Sequence, residues 1–300
     1  MGGTAMAVTR TLSLVALLLV SVATPSPATE PMSPGAIQRL TEALAGRRVA
    51  REEDWVTGAH TRAASSLRHV FQQTVGTVPL VISTDALGSG IVVGVNDTDN
   101  SAWVITNHHV VKSPFQTDKG VPFVLLLFYD RELAAERFNV QQLKGCLEGA
   151  DQGPWCTAVT RSRRLAVVRG IDPDRDLALL AVSNLSPGIS PVPIAAIQAV
   201  EPGDDVAVIG HPEGLLWTLT VGIVSGVRAR YPMGNAQGTV IQTQTPIAPG
   251  SSGGPLLTPE GRLLGVITWG LTDRQGLNAA IAINEVQVFA REQAKRFEQR

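Results

Sequence analysis

The chain has almost no net charge, with 25 basic side chains against 26 acidic ones. It also has no basic stripe, which removes the usual reason to expect a nucleic-acid partner. The local cluster Arg161-Ser162-Arg163-Arg164 reads as a solvated loop. Membrane-length apolar runs are missing too. Leu12–Val22 is too short to span a bilayer as a typical helix. It follows Arg10 and precedes the small residues Ser26-Pro27-Ala28, the pattern of a cleavable signal peptide over 1–28. The expected mature chain starts near Thr29 and is exported, periplasmic or secreted, with an uncleaved anchor as the alternative. No cysteine follows the apolar run, which argues against a lipoprotein anchor. Cysteine is scarce: Cys146 and Cys156 stand alone in the polar segment 144–157, with no histidine near them. Two thiols make a poor metal site, so neither metal nor cofactor is expected. In an oxidising compartment they are expected to close a structural disulfide, free thiols being the alternative.

What is present is apolar and turn-rich. Hydrophobic residues make up 44% of the chain, and 29 glycines and 19 prolines punctuate many short apolar runs, which together predict β structure. Thr29–Pro34 reads as a linker. Helical spacing follows over Ala36–Ala50 (Ile37, Leu40, Leu44) and Arg62–Thr74 (Leu67, Val70, Phe71), giving an N-terminal arm over 29–76. Strands are predicted from Val78 to Phe128 and resume from Leu165 to Ile283. Between them lies a polar insertion, 130–163, holding the cysteine pair and read as a stapled surface loop, with shaping the cleft or an oligomer contact as the alternatives. A closing helix is predicted over Glu285–Phe297, with Val286, Phe289, Ala290, Ala294 and Phe297 at helical spacing. About a dozen short strands with a terminal helix predict an all-β domain over 77–300, built as a pair of antiparallel β-barrels. No internal repeat is visible.

Chemistry concentrates in the turn Ala248-Pro249-Gly250-Ser251-Ser252-Gly253-Gly254-Pro255-Leu256-Leu257, set between the apolar runs 240–242 and 263–269. Glycine adopts positive φ at little cost, so such a turn can expose a serine hydroxyl and converge backbone N–H groups on an anion. Acyl transfer needs those two things. Gly250-x-Ser252-x-Gly254 also fits the nucleophile elbow of α/β-hydrolases, whose histidine comes last in chain order. Here His60, His69, His108, His109 and His211 all precede Ser252, so that fold is excluded. A base for Ser252 must lie upstream. His108 and His109 close the apolar run Val104-Ile105-Thr106, where an imidazole can face a cleft. Asp176 opens the run Leu177–Leu180 and can be partly buried against it, while Asp172 and Asp174 read as turn residues.

The order histidine, aspartate, serine is that of the chymotrypsin-type triad. Thr106-Asn107-His108-His109-Val110, Asp176-Leu177-Ala178-Leu179-Leu180 and Gly250-Ser251-Ser252-Gly253-Gly254-Pro255-Leu256 resemble the three motifs of the HtrA/Deg (Do-like) serine endopeptidases. Gly88-Ser89-Gly90-Ile91, Val221–Gly226 and Ile241-Gln242-Thr243 resemble their flanks, so the likeness spans roughly 70–288. The resemblance implies two six-stranded barrels of chymotrypsin type. It also implies His109 as general base, Asp176 as its orienting partner, Ser252 as nucleophile, and the N–H groups of Gly250 and Ser252 as oxyanion hole. It gives His108 no role. Protein or peptide substrates follow, unfolded chains among them, and a trimer is common in the family. A protease fold used for binding or chaperoning, with little turnover, is the alternative.

Ser251 stands where trypsin-like zymogens carry an aspartate, so activation by a new N-terminus is not expected. Pro246, Ile247 and Ala248 are expected to line the S1 pocket, with Thr268, Trp269 and Gly270 opposite. None is charged, and Ile267 is not the histidine that suits glutamate-specific relatives, so small or medium apolar P1 residues are expected. The sequence ends soon after the closing helix, so the PDZ domain of many family members is not expected.

Overall fold

Gly90 decides how the first half of the molecule closes. The computed structural model describes residues 67–197, 200–270 and 277–299. The signal-peptide reading, the helix predicted over 36–50 and most of the arm lie outside them; only its last stretch appears, as helix α1, Leu67–Thr74. Eight strands follow: β1 Leu80–Ile82, β2 Leu87–Ser89, β3 Ile91–Asn96, β4 Ser101–Thr106, β5 Phe115–Gln116, β6 Pro122–Leu127, β7 Arg163–Asp172 and β8 Leu177–Val182. They form one antiparallel sheet in the order β2-β1-β6-β7-β8-β4-β3, with β5 on β6. Only Gly90 separates β2 from β3, so the two sheet edges are one bent strand and the sheet is a six-stranded barrel closed by the chain itself. A side chain could not make that bend: a Cβ at Gly90 would lie 2.7 Å from Val104 Cγ1 and 3.1 Å from Val81 Cγ2.

The second barrel is closed by hydrogen bonds throughout. Its strands are β9 Asp205–Gly210, β10 Thr218–Met233, β11 Ala236–Thr243, β12 Pro255–Leu257, β13 Leu263–Gly270 and β14 Asn278–Ala282, ordered β10-β11-β14-β13-β12-β9. The predicted pair of six-stranded antiparallel barrels is therefore the observed fold, and the closing helix follows it.

Alternation explains why so many strands read as unbroken apolar runs. On β4, Ala102 and Val104 point into the first barrel with Val81, Val124 and Leu180. Their neighbours Trp103 and Ile105 point the other way, into a core shared with Leu177 and Leu179 of β8 and with Ile209, Val240, Val266 and Ile281 of the second barrel. The terminal helix (Ile283–Glu298) seals that shared core with Val286, Phe289 and Ala290.

The insertion is not a surface loop. It folds into three helices, α2 Arg131–Ala134, α3 Val140–Leu147 and α4 Pro154–Ser162. Each start is specified locally: the Asp130 and Asn139 side chains cap the N–H groups of Glu132 and Gln141, and Pro154 occupies the first turn of α4. Leu133, Leu143, Trp155, Ala158 and Val159 are buried together with Leu125 and Leu127 of β6. Cys146 and Cys156 form a disulfide joining α3 to α4. The basic cluster departs from expectation as well: it ends α4 and begins β7. Arg161 Nε donates to Asp130 Oδ2 at 2.9 Å, tying the end of the insertion to its start, and Ser162 is buried.

Candidate active site

The two barrels meet where β4 ends and β8 begins, beside the later residues of β13, and there His109, Asp176 and Thr268 come together. His109 begins a short 3-10 turn after β4. Asp176 is the last residue before β8 and holds φ at +53°, a left-handed conformation unusual outside glycine. Asn107 stabilises it, donating from Nδ2 to the Asp176 carbonyl at 2.9 Å. The carboxylate then takes three hydrogen bonds. Oδ1 accepts from the His109 backbone N–H at 2.9 Å, and Oδ2 lies 2.7 Å from His109 Nδ1. The Thr268 hydroxyl also donates to Oδ2, at 2.7 Å. His109 therefore has its Nδ1 face committed to Asp176, while about half of its side chain is open to solvent.

The loop carrying Asp176 is fixed from two sides. Arg175 Nη1 reaches Glu292 Oε2 on the terminal helix at 3.0 Å. Asp174 Oδ1 accepts from the Asn235 N–H at 3.0 Å, docking the turn between β10 and β11. A cavity of about 470 Å³ opens beside them, lined by His109, Asp174, Tyr231, Met233, Val240 and Thr268 among others. Pro246, Ile247 and Ala248 do not line it.

Ser252 sits on the turn between β11 and β12. Its Oγ donates to the Thr268 carbonyl at 3.2 Å, and among the described residues no hydrogen bond joins it to His109. Gly250 and Gly253 hold φ at +101° and +85°. Neither position admits a side chain, because a Cβ would fall 2.2 Å from the His211 carbonyl oxygen or 2.1 Å from that of Ser89. The N–H groups of Gly250 and Ser252 have no partner among the described residues, whereas those of Ser251, Gly253 and Gly254 are bonded within the fold.

The remaining candidates fall into place unevenly. Ser251 is buried, with Oγ 3.4 Å from the Ala248 N–H that donates to it. The Pro246 carbonyl accepts from Thr220 Oγ1 at 2.9 Å, and Ile247 packs against the core of the second barrel. Trp269 and Gly270 belong to β13. Thr268, expected across the S1 pocket, turns its hydroxyl onto Asp176 instead. Sequence reasoning missed that contact, and it missed Asn107 although that residue lies inside the quoted motif. It also gave no role to Ser89 and His211, both fully buried against the 250–254 turn. Among the described residues, Cys146, Asp151 and Cys156 are the cluster dense enough to hold a metal ion, but their sulfurs are bonded to each other.

Burial pushes the His211 imidazole down to about 3. The folded state thus holds this histidine neutral where the unfolded chain, titrating near its ordinary value of about 6.5, takes up a proton. Stability from this group is complete above that pH and is lost as pH falls toward the folded value. The loss relative to pH 8 is expected to reach about 2 kcal/mol at pH 5. Urea melts of the parent and of His211→Asn at both pH values check it, the variant being expected to show the smaller fall.

The description Trypsin-like peptidase domain matches residues 88–266. The chain belongs to that family. Protease Do-like 5, chloroplastic, of Arabidopsis thaliana is 31% identical over 209 residues, covering 67% of this chain and 55% of the relative. The serine protease Do-like HtrA of Bacillus subtilis is 31% identical over 214 residues, 68% of this chain and 39% of the relative. The chain thus spans about half the length, or less, of these relatives. Among solved structures, that of Deg5 superposes with a TM-score of 0.52 at 27% identity, over 73% of this chain and 90% of that one. A serine endoprotease from Yersinia pestis shares the fold, with a TM-score of 0.53 at 21% identity over 77% and 67% of the two chains. Do-like serine proteases are therefore its relatives in both sequence and fold.

Proposed function

We propose that this chain is an exported serine endopeptidase that hydrolyses peptide bonds in protein substrates, unfolded chains included. The observation that carries the reading is the His109–Asp176 pair, 2.7 Å between Nδ1 and Oδ2, joined through Thr268 to a serine turn with two N–H groups that have no partner among the described residues. His109 donates its Nδ1 hydrogen to Asp176, which leaves Nε2 free as a base. Rotation about Cα–Cβ swings the Ser252 hydroxyl from the Thr268 carbonyl toward that nitrogen. Ser252 Oγ attacks the peptide carbonyl as its proton passes to His109 Nε2, and the N–H groups of Gly250 and Ser252 receive the oxyanion. Collapse of the adduct expels the amine, protonated by His109. Water, deprotonated by the same nitrogen, then attacks the acyl-enzyme, and its collapse frees the acid and restores Ser252. A role in protein quality control is the biological setting that suits an exported member of this group.

The resting bond from Ser252 to Thr268 favours a second reading, a protein that binds unfolded chains with little turnover. One experiment separates them. The mature chain is incubated with casein and, separately, with a fluorophosphonate, and the label is located by peptide mapping. Casein fragments with the label on Ser252 support the endopeptidase. Casein binding without fragments or label replaces it with the binding protein.

A further inference from the structure

Ser89 holds the nucleophile turn from behind with two of its polar atoms. Its N–H donates to the Ser252 carbonyl at 2.7 Å, and its Oγ donates to the Gly250 carbonyl at 2.8 Å. Its own carbonyl accepts from Thr106 Oγ1 at 2.7 Å, so the residue is fixed to β4 as well. Behind it lies His211, with Nδ1 2.9 Å from Ser89 Oγ and the ring edge-on to Trp217 at 5.3 Å.

A single hydrogen sets the chemistry of this pair. A carbonyl can only accept, so the Ser89 hydroxyl hydrogen is committed to Gly250. Its lone pair must then take a hydrogen from the imidazole. His211 is accordingly the neutral tautomer protonated at Nδ1, and Nε2 is a bare lone pair. Nε2 is indeed buried without a partner among the described residues. A buried lone pair tolerates that better than an orphaned N–H. Burial, which disfavours the charged ring, keeps the histidine neutral.

Peptide geometry turns this anchoring into direction. Across a trans peptide the C=O and N–H point opposite ways. The Pro249 carbonyl accepts from the Glu213 N–H at 2.8 Å, so the Gly250 N–H points away from Glu213. The next peptide is held by Ser89 through the Gly250 carbonyl. The N–H of that same peptide, on Ser251, donates to the Ala248 carbonyl at 2.9 Å, so Ser89 supplies the second anchor at a glycine that would otherwise turn easily.

We propose that Ser89 and His211 are positioning residues for the oxyanion-binding turn: the His211 Nδ1–H holds the Ser89 hydroxyl, which holds the Gly250 carbonyl, and the N–H groups of Gly250 and Ser252 are thereby kept facing the acyl oxygen. This rests on the endopeptidase reading above. Neither residue touches substrate, so the effect is on the rate of acyl transfer and not on substrate capture.

The test has two arms. Long-range ¹H–¹⁵N spectra of the parent at pH 7 are expected to show His211 protonated at Nδ1 alone; an Nε2–H ring overturns the proposal. In the second arm, kcat and KM on labelled casein and the affinity for a peptide boronate are measured for the parent, His211→Leu and His211→Asn. Losing one oxyanion donor outright costs about 10²–10³-fold, so a loosened turn in His211→Leu is expected to lose about 10–100-fold in kcat. Boronate affinity should fall alongside it, with KM within about twofold of the parent, whereas Asn, whose amide can donate from the Nδ1 position, restores most of both. A leucine variant equal to the parent, or one that changes KM alone, overturns the assignment while the protease reading stands. If the parent itself turns nothing over, the protease reading fails, and the tautomer alone decides the anchoring. The spectra need no variant, so a His211→Leu chain that does not fold leaves the proposal testable.

Discussion

Ser252→Ala is expected to lower turnover by about 10⁴–10⁶-fold, the largest effect any single side chain should have here. Ser252 Oγ is the one nucleophilic oxygen on the turn that is not buried: Ser251 is enclosed and its hydroxyl is engaged with the Ala248 N–H. Truncation removes the atom proposed to form the acyl-enzyme, and no neighbouring hydroxyl can replace it. The fold should not notice. The hydroxyl makes a single hydrogen bond, to the Thr268 carbonyl, so thermal stability is expected to stay within about 1 kcal/mol of the parent. Initial rates on casein with matched melting curves check both halves. Ser251→Ala is the natural control, and a Ser252→Ala chain keeping more than a few per cent of parental turnover would place the nucleophile elsewhere.

Asp176→Asn comes next, with an expected loss of about 10⁴-fold in kcat and little change in KM. The backbone will accept the change, since asparagine tolerates the left-handed φ of +53° as well as aspartate does. What fails is the match of donors to acceptors. Oδ2 accepts from both His109 Nδ1 and the Thr268 hydroxyl, and Oδ1 accepts from the His109 N–H. An amide supplies one acceptor oxygen, which the His109 backbone N–H claims. The NH₂ group then faces Nδ1, which must become the acceptor, and the imidazole hydrogen moves to Nε2. A ring protonated there cannot take the Ser252 proton. Single-turnover kinetics with a fluorophosphonate check this directly, because labelling should slow by the same factor as casein cleavage. A loss below tenfold would mean that Asp176 does not set the tautomer.

The outline of this site was legible because its residue types are rare in such places. A histidine, an aspartate and a serine at strand ends, in that order and with a glycine turn around the last, seldom coincide without a catalytic role. Thr268 was not legible. Between β13 and β14 the register slips after Ile267, which pairs with Ala280, while Trp269 pairs with Ala279. Thr268 is the extra residue of a bulge, unpaired on β14, and its contact with Asp176 depends on how the second barrel docks on the first, which no local pattern shows. Ser89 and His211 were hidden for a different reason: each bonds across more than a hundred residues of chain, at a separation of 122 between them and 161 from Ser89 to Gly250. The helical insertion was missed because α3 and α4 are only 8 and 9 residues long. Polar caps and a disulfide linker around such short amphipathic pieces look like loop composition. The barrels themselves were readable, strand by strand, from β-branched runs and turns, although nothing in those runs shows that Gly90 closes the first one.

Trp217 stands between β9 and β10 of the second barrel, yet it is buried in the cluster between the outer face of the first barrel and its helical insertion, with Leu80, Phe123 and Trp155. Its Nε1–H donates to the Val78 carbonyl at 2.7 Å, and the residue holds a φ of +48° to reach there. Tyr129, just past β6, packs edge-on against it. Separating the barrels would mean drawing this side chain out of a closed interior and splitting the shared core around Ile105, Leu179, Val266 and Phe289. Each barrel keeps its own interior, but the core between them and the Trp217 pocket are both opened once the other is gone. Two lobes that look independent in outline are thus expected to lose their structure together, in one melting transition where two separate domains would give two.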